Sequence, residues 1–135
     1  MNHYGPTEAT VGCCVYCVPT GFSDLNVPIG KPITGVETSI RLEDMSVAEP
    51  YEIGELFISG TALANGYWGR PDITQKSFLY IADERPDRRQ WYRTGDLARR
   101  TNDGNIEHLG RIDDQMKLLG NRIEPGEILV QLNKI

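Results

Sequence analysis

Apolar residues along the chain fall into short runs bounded by glycine, proline and turn residues, a pattern of strands more than of long helices. Val11 to Val18 is rich in β-branched and aromatic side chains and reads as a strand. Val36 to Leu42 and Glu55 to Ser59 read the same way, the second bounded by Gly54 and Gly60. Asp96 to Arg100, then Thr101-Asn102-Asp103-Gly104, then Asn105 to Leu109 has the form of a hairpin, since Asp-Gly supplies the positive φ angles of a tight turn. Helical signals are fewer. Asp72 is placed to cap a short helix, with Gln75 three residues on and Pro71 just before it. Pro125 suits a first helical position, and Ile128, Leu129, Leu132 and Ile135 follow at amphipathic spacing. That tail reaches the last residue with its apolar face still developing, so the sequence reads as cut off there. Asp83 to Gln90 is the expected exposed loop. The fold expected is mainly β: a β-rich α+β fragment built on a distorted antiparallel, barrel-like region, with one short helix and a helical tail.

Composition narrows the function classes. The 135 residues suit one domain, and 39% apolar with 24% charged residues is the balance of a folded soluble chain. The net charge of −5 argues against a nucleic-acid footprint, which is usually basic. Arginines do gather between Arg85 and Arg100, but Asp83, Glu84, Asp87 and Asp96 are interleaved with them. The longest near-continuous apolar run, Val11 to Val18, is far short of the ~20 residues of a spanning helix. Asn2-His3-Tyr4-Gly5-Pro6 after Met1 is turn-like and polar, unlike a leader. Neither a nucleic-acid nor a membrane partner is therefore expected. Cys13, Cys14 and Cys17 crowd into one run, a poor disulfide framework that points to a reducing, cytoplasmic setting. Cys14-x-x-Cys17 lacks the second pair or spaced histidines of a zinc site. On a strand Cys13, Val15 and Cys17 would share one face as small core residues. His108 falls in the second hairpin arm, where a structural role is expected, and Tyr67, Trp68 and Trp91 are expected as core and rim aromatics.

Three stretches are too specific in residue type to be scaffold. In Asn2-x-Tyr4-Gly5-Pro6-Thr7-Glu8, Gly5-Pro6 forces a bend and lets backbone N–H groups approach an anion. There Thr7 offers a hydroxyl to phosphate, Glu8 a hard carboxylate of the kind Mg²⁺ takes, and Tyr4 a flat ring for a base, the alternative being a plain loop entering a strand. In Trp91-Tyr92-Arg93-Thr94-Gly95-Asp96-Leu97, Asp96 can accept two bonds from a vicinal diol such as a ribose, or it merely starts the hairpin as an Asx turn. Gly110-Arg111-Ile112-Asp113-Asp114-Gln115-Met116-Lys117, followed by Leu118 to Glu127, alternates charge with apolar residues between glycines. That suits a segment bending between two bodies while presenting Arg111 and Lys117 to an anion. A solvated edge strand is the alternative.

Together these stretches resemble the core motifs of amino-acid adenylation domains of nonribosomal peptide synthetases. The family writes them N-x-Y-G-P-T-E, Y-R-T-G-D-L and G-R-x-D-x-Q-x-K, the last followed by G-x-R-I-E-x-G-E-I. A fourth stretch stands between them as Gly54 to Gly60, Leu63 to Tyr67 and Arg70 to Thr74. The order is the family's order. The resemblance implies activation of an amino acid by Mg·ATP as an aminoacyl-AMP, then transfer to the phosphopantetheine thiol of a carrier protein domain. It implies adenine stacking for Tyr4 with Asn2 and Gly5 beside it, phosphate contact for Thr7, Mg²⁺ for Glu8, and ribose for Asp96 with Arg111 near. Thr7, Glu8 and Arg111 are the implied catalytic residues, and Lys117 joins the implied nucleotide site. His3, Val11 and Gly12 fall where the family lines its amino-acid pocket, and Asp113 where its hinge turns.

On this resemblance residues 1–112 are the closing β region of the large subdomain, and 113–135 the hinge and the start of the small one. Leu119 and Pro125 depart from the family's usual arginine and leucine. The family's Gly/Ser/Thr-rich phosphate loop and its far lysine are not in the sequence, so the chain is expected to need the rest of the domain for turnover. An acyl-CoA or aryl acid ligase fragment is the neighbouring reading, against which Gln115 and Arg122-Ile123-Glu124 favour the peptide-synthetase branch. A non-catalytic β-rich docking module is the other.

Overall fold

The computed structural model describes residues 1–10, 12–81, 89–113, 116–118, 121–123 and 132, with backbone alone for 116–118 and 121–123. Strands dominate it: β1 (Asn2–Tyr4), β2 (Cys14–Tyr16), β3 (Lys31–Pro32), β4 (Val36–Arg41), β5 (Gly54–Gly60), β6 (Phe78–Ile81), β7 (Arg89–Arg100), β8 (Ile106–Arg111), β9 (Met116–Leu118) and β10 (Asn121–Ile123). A 3₁₀ turn (Thr7–Ala9) follows β1, and α1 (Pro71–Ser77) precedes β6. Every strand pairing among the described residues is antiparallel. The expected mainly β, curled half-barrel architecture is the one found. No helix among the described residues is long and apolar enough to cross a membrane.

The five-stranded sheet runs β4-β5-β7-β6, with β8 also on β7. A smaller sheet, β1-β2-β3, meets it through a backbone bridge between Gly30 and Ile106. Ile106 N–H donates to Gly30 O at 2.8 Å, and Ile106 O accepts from Ile29 N–H at 2.8 Å. Gly30 has φ +84, and a Cβ there would lie 1.9 Å from the Val15 carbonyl oxygen, so only glycine lets the chain lie this close to β2 where it bridges Ile106. Between them lies the core of Ala9, Cys13, Cys14, Ile29, Val36, Ile40, Leu56, Ile58, Ala98 and Ile106. Each large aliphatic side chain so buried contributes roughly 1.5–3 kcal/mol. β5 is buried from Gly54 to Ser59, with β4 and β7 laddered along its two edges.

Several expectations are corrected. The strand expected over Val11 to Val18 is shorter, since Cys13 lies in a bend and pairing starts at Cys14. The alternation is therefore shifted: Cys13 and Cys14 are both buried and Cys17 is exposed, all three as free thiols. Asp72 does not cap α1. Pro71 takes the first position, Arg70 is the flanking residue without a side-chain cap, and the Asp72 carboxylate is held by Arg70 at 3.0 Å. The strand expected from Asp96 begins at Arg89, so Arg89 and Gln90 leave the expected loop, whose residues 83–88 lie outside the described ones. The turn at 101–104 forms as expected, with Gly104 at φ +82 and Thr101 N–H donating to Asn105 O at 2.9 Å. Of the expected tail only Leu132 is described, helical and exposed. Gln115, Leu119, Glu124 and Pro125 lie outside the described residues.

Candidate functional site

β7 keeps β5 along one edge but changes neighbour along the other. β6 covers it as far as Tyr92, opposite Phe78, and β8 takes over at Asp96, opposite Arg111. Pairing with β5 passes from Leu97↔Glu55 to Arg93↔Phe57, so Thr94, Gly95 and Asp96 all stand opposite Leu56. The Thr-Gly-Asp segment is a bulge at the changeover. Backbone groups freed by the bulge must find other partners, and side chains supply them. Thr94 Oγ1 donates to Leu56 O at 2.7 Å and accepts from Asp96 N–H at 3.0 Å, while Gly95 N–H donates to Glu55 Oε1 at 3.0 Å. Glu55 also holds Arg93 at 2.8 Å. Gly95 has φ +74, and a Cβ on it would stand 2.7 Å from Arg111 Nη2.

The bulge delivers Asp96 to a buried network. Tyr4 of β1 donates its hydroxyl to Asp96 Oδ2, and Arg111 Nη1 donates to Oδ1 at 3.0 Å. His108 Nε2 lies 3.3 Å from the same oxygen. Arg111 uses its other donors on the protein too: Nη1 reaches Thr94 O at 3.1 Å, while Nε and Nη2 grip Asp113 at 2.6 and 2.7 Å. Burial pushes the Asp96 carboxyl up, but hydrogen bonds from His108 and Tyr4 and the charges of His108 and Arg111 outweigh it and hold it below the ordinary carboxylate value. Burial, then the charge of Asp96, pushes the Tyr4 phenol up, so it stays a donor. Bonding to Asp113 raises Arg111, against its burial and with help from Asp96.

His108 reaches Asp96 through a second irregularity. Leu97 pairs with Gly110, but the next pair is Ala98↔His108, so β8 carries one extra residue there. In a regular strand, positions three apart face opposite ways. The extra residue puts His108 on the face of Arg111, and its ring comes within 5.9 Å of Tyr4's.

Glu8 is delivered by the bend at Gly5-Pro6. Pro6 O accepts from Ala9 N–H at 3.0 Å, closing the 3₁₀ turn, and Ala64 N–H donates to Glu8 O at 2.8 Å. Glu8 as a residue is 5% exposed, and Tyr67 donates its hydroxyl to Oε1 at 2.5 Å. Tyr67 also lines a hollow of about 300 Å³ at the uncovered edge of β7, together with Thr94, Gly95, Arg111, Lys76 and Asp113. One hard carboxylate following the exposed residue Thr7 in sequence fits Mg²⁺, which takes one or two protein carboxylates and draws further ligands from phosphate and water. Among the described residues, no group of three His, Cys, Asp or Glu side chains forms a cage for a metal.

The structure thus brings together Tyr4, Asp96 and Arg111, with Asp113 attached through Arg111. Asn2 spends its amide on Pro28 O at 2.9 Å, and Gly5 lies half-buried in the bend. His3 and Gly12 are neighbours: a Cβ on Gly12 would stand 3.9 Å from His3 Nδ1. Val11 and the Lys117 side chain lie outside the described residues. Sequence reasoning passed over His108 and Tyr67 as contributors. For His108 no alternation could signal it, because the extra residue in β8 is invisible to a period of two.

Residues 1–68 match the family of AMP-binding enzymes. The chain is 47% identical to bacitracin synthase 3 of Bacillus licheniformis, over 97% of this chain and 2% of that protein. It is 45% identical to tyrocidine synthase 1 of Brevibacillus parabrevis, over 95% of this chain and 12% of that protein. Among solved structures, PA1221, an NRPS protein containing adenylation and PCP domains, matches with TM-score 0.88 at 34% identity, over 98% of this chain and 27% of its own. The N-terminal subdomain of Klebsiella oxytoca NpsA, in complex with 3-hydroxybenzoyl-AMSN, matches with TM-score 0.72 at 33% identity, over 79% of this chain and 28% of its own. The chain therefore spans a small share of each of these relatives.

Proposed function

This chain belongs to the AMP-binding enzyme family, and from that premise we propose that it supplies the nucleotide-gripping β region and hinge of an amino-acid adenylation domain in nonribosomal peptide synthesis. The enzyme carrying it would join an amino acid to ATP, making aminoacyl-AMP and pyrophosphate. It would then pass the acyl group to the phosphopantetheine thiol of a carrier domain, in the cytoplasm. Attack of a carboxylate on the α-phosphorus brings two anions together, so catalysis is chiefly positioning and charge stabilisation. No nucleophilic side chain is needed.

In this reading Asp96 accepts the ribose hydroxyls, and Tyr4 offers its ring to adenine with Asn2 and Gly5 at its side. Arg111 holds Asp96 charged and ties it to Asp113, the turning point between residues 1–112 and 113–135. Thr7 meets phosphate, and Glu8 would hold Mg²⁺, which neutralises phosphate charge when bound. Lys117 would add a cation from beyond the hinge, and His3, Val11 and Gly12 would face the amino-acid side chain. The match to a lone N-terminal subdomain over 79% of the chain supports the division near residue 113.

One observation carries the reading: Tyr4, Asp96 and Arg111, from three separate strands, meet in one hydrogen-bond network. The experiment is calorimetric binding of a non-hydrolysable ATP analogue to the synthetase carrying this chain, alongside amino-acid-dependent ATP–pyrophosphate exchange. Asp96→Ala should weaken the analogue at least about 10-fold, the loss expected for a charged hydrogen bond. Unchanged binding and exchange would remove the proposal.

A further inference from the structure

The connection from Gly66 to Thr74 is held far more tightly than a link between β5 and α1 requires. Gly66 has φ +136, and a Cβ on it would stand 2.4 Å from Thr74 Cγ2. Thr74 Oγ1 accepts from Tyr67 N–H at 2.9 Å and bonds Arg70 O at 2.9 Å, while Arg70 N–H donates to Tyr67 O at 3.1 Å. The Tyr67 ring packs edge-on against Phe78, 5.8 Å between centroids. Backbone and ring of Tyr67 are thus both fixed. The outcome is one bond, 59 residues apart in sequence: its hydroxyl on Glu8 Oε1 at 2.5 Å. Trp68, the next residue on the same turn, is wholly exposed.

We propose that Tyr67, held by Thr74, is a positioning residue for Glu8: its hydroxyl pins one carboxylate oxygen and so sets the direction from which the carboxylate meets the divalent cation that accompanies the nucleotide. This rests on Glu8 being the residue that holds Mg²⁺. Outer partners of this type orient metal-binding carboxylates, and removing one typically costs about 10–100-fold in metal affinity. The Gly-Tyr and Arg-Pro-Asp-x-Thr elements of this stretch, absent from the nucleotide network, then have a common purpose.

The test uses the synthetase carrying this chain, with Mn²⁺ as the probe and a non-hydrolysable ATP analogue present, bound ion being counted by electron paramagnetic resonance. Tyr67→Phe, which keeps the ring on Phe78, should weaken Mn²⁺ by about 10-fold, the low end for such a partner. Glu8→Gln should weaken it more, and Trp68→Ala should leave it unchanged. Wild-type Mn²⁺ affinity in Tyr67→Phe beside a clear loss in Glu8→Gln would overturn the positioning role and leave the Glu8 assignment standing. Wild-type affinity in both would remove the Glu8 assignment, and the inference with it. An equal loss in Trp68→Ala and Tyr67→Phe would assign the effect to the turn as a whole and likewise overturn the inference.

Discussion

Asp96→Asn keeps the shape of the side chain and removes its charge. The wild-type carboxylate accepts from Tyr4 and Arg111 and lies 3.3 Å from His108, in a residue 5% exposed. Removing one partner of a fully buried ion pair costs about 3–5 kcal/mol. Two facts lower that figure here. Arg111 keeps Asp113 and Thr94 O and has a side chain 22% exposed, and the amide oxygen of asparagine still accepts. A loss of about 2–3 kcal/mol remains, within the range of a charge-assisted bond. The assay is urea denaturation across a pH series. With the folded carboxyl held below its ordinary value, the contribution of Asp96 is fully present above the unfolded value of about 3.9 and is lost as the pH falls through the lower folded value. The gap between wild type and variant should therefore be widest near neutrality and close below about pH 4. A gap under about 0.5 kcal/mol at pH 7 would place the effect among ordinary surface substitutions. That result, or a gap that survives acidification, would refute the reasoning.

Gly95→Ala should cost about 2–4 kcal/mol by the same assay, from a left-handed φ and from driving Arg111 off its place 2.7 Å from the new Cβ; a neutral result would mean the bulge readily reshapes. Gly30→Ala should cost more than about 3 kcal/mol or block folding, since the methyl would meet Val15 backbone, and a wild-type melting temperature would contradict this. Thr94→Val should cost about 1–3 kcal/mol, because Leu56 O and Asp96 N–H both lose their partner; equal denaturation midpoints would show that water replaces the hydroxyl. Leu56→Ala in the centre of the core should cost about 2–5 kcal/mol, read as a shifted urea midpoint with unchanged slope.

Regular pairing was legible wherever a strand obeys its period. Val36 to Arg41, Gly54 to Gly60 and the 101–104 turn lie where runs of strand-favouring residues, their flanking glycines and Asp-Gly place them. Asp96 and Arg111 were legible as residue types, and the fold joins them across a pair that register alone would supply. What escaped depends on broken register. The Thr94–Asp96 bulge turns a plain hairpin arm into a twelve-residue strand with two successive neighbours, and the extra residue in β8 turns His108 toward Asp96. The link between Tyr67 and Glu8 escaped for another reason. It is a long-range contact made by a loop, and no local pattern encodes where a loop points.

The changeover along β7 has a consequence for how the molecule opens. Strands ordinarily fray from their ends, where ladder bonds are fewest. Here the pairs flanking the bulge, Trp91–Tyr92 and Leu97–Ala98, are laddered on two sides, while Gly95 between them gives its N–H to the Glu55 carboxylate. Protonating or removing that one carboxylate would let solvent into the centre first. Deuterium would then enter at Gly95 ahead of Tyr92 and Ala98, so that this strand unzips from its waist outward.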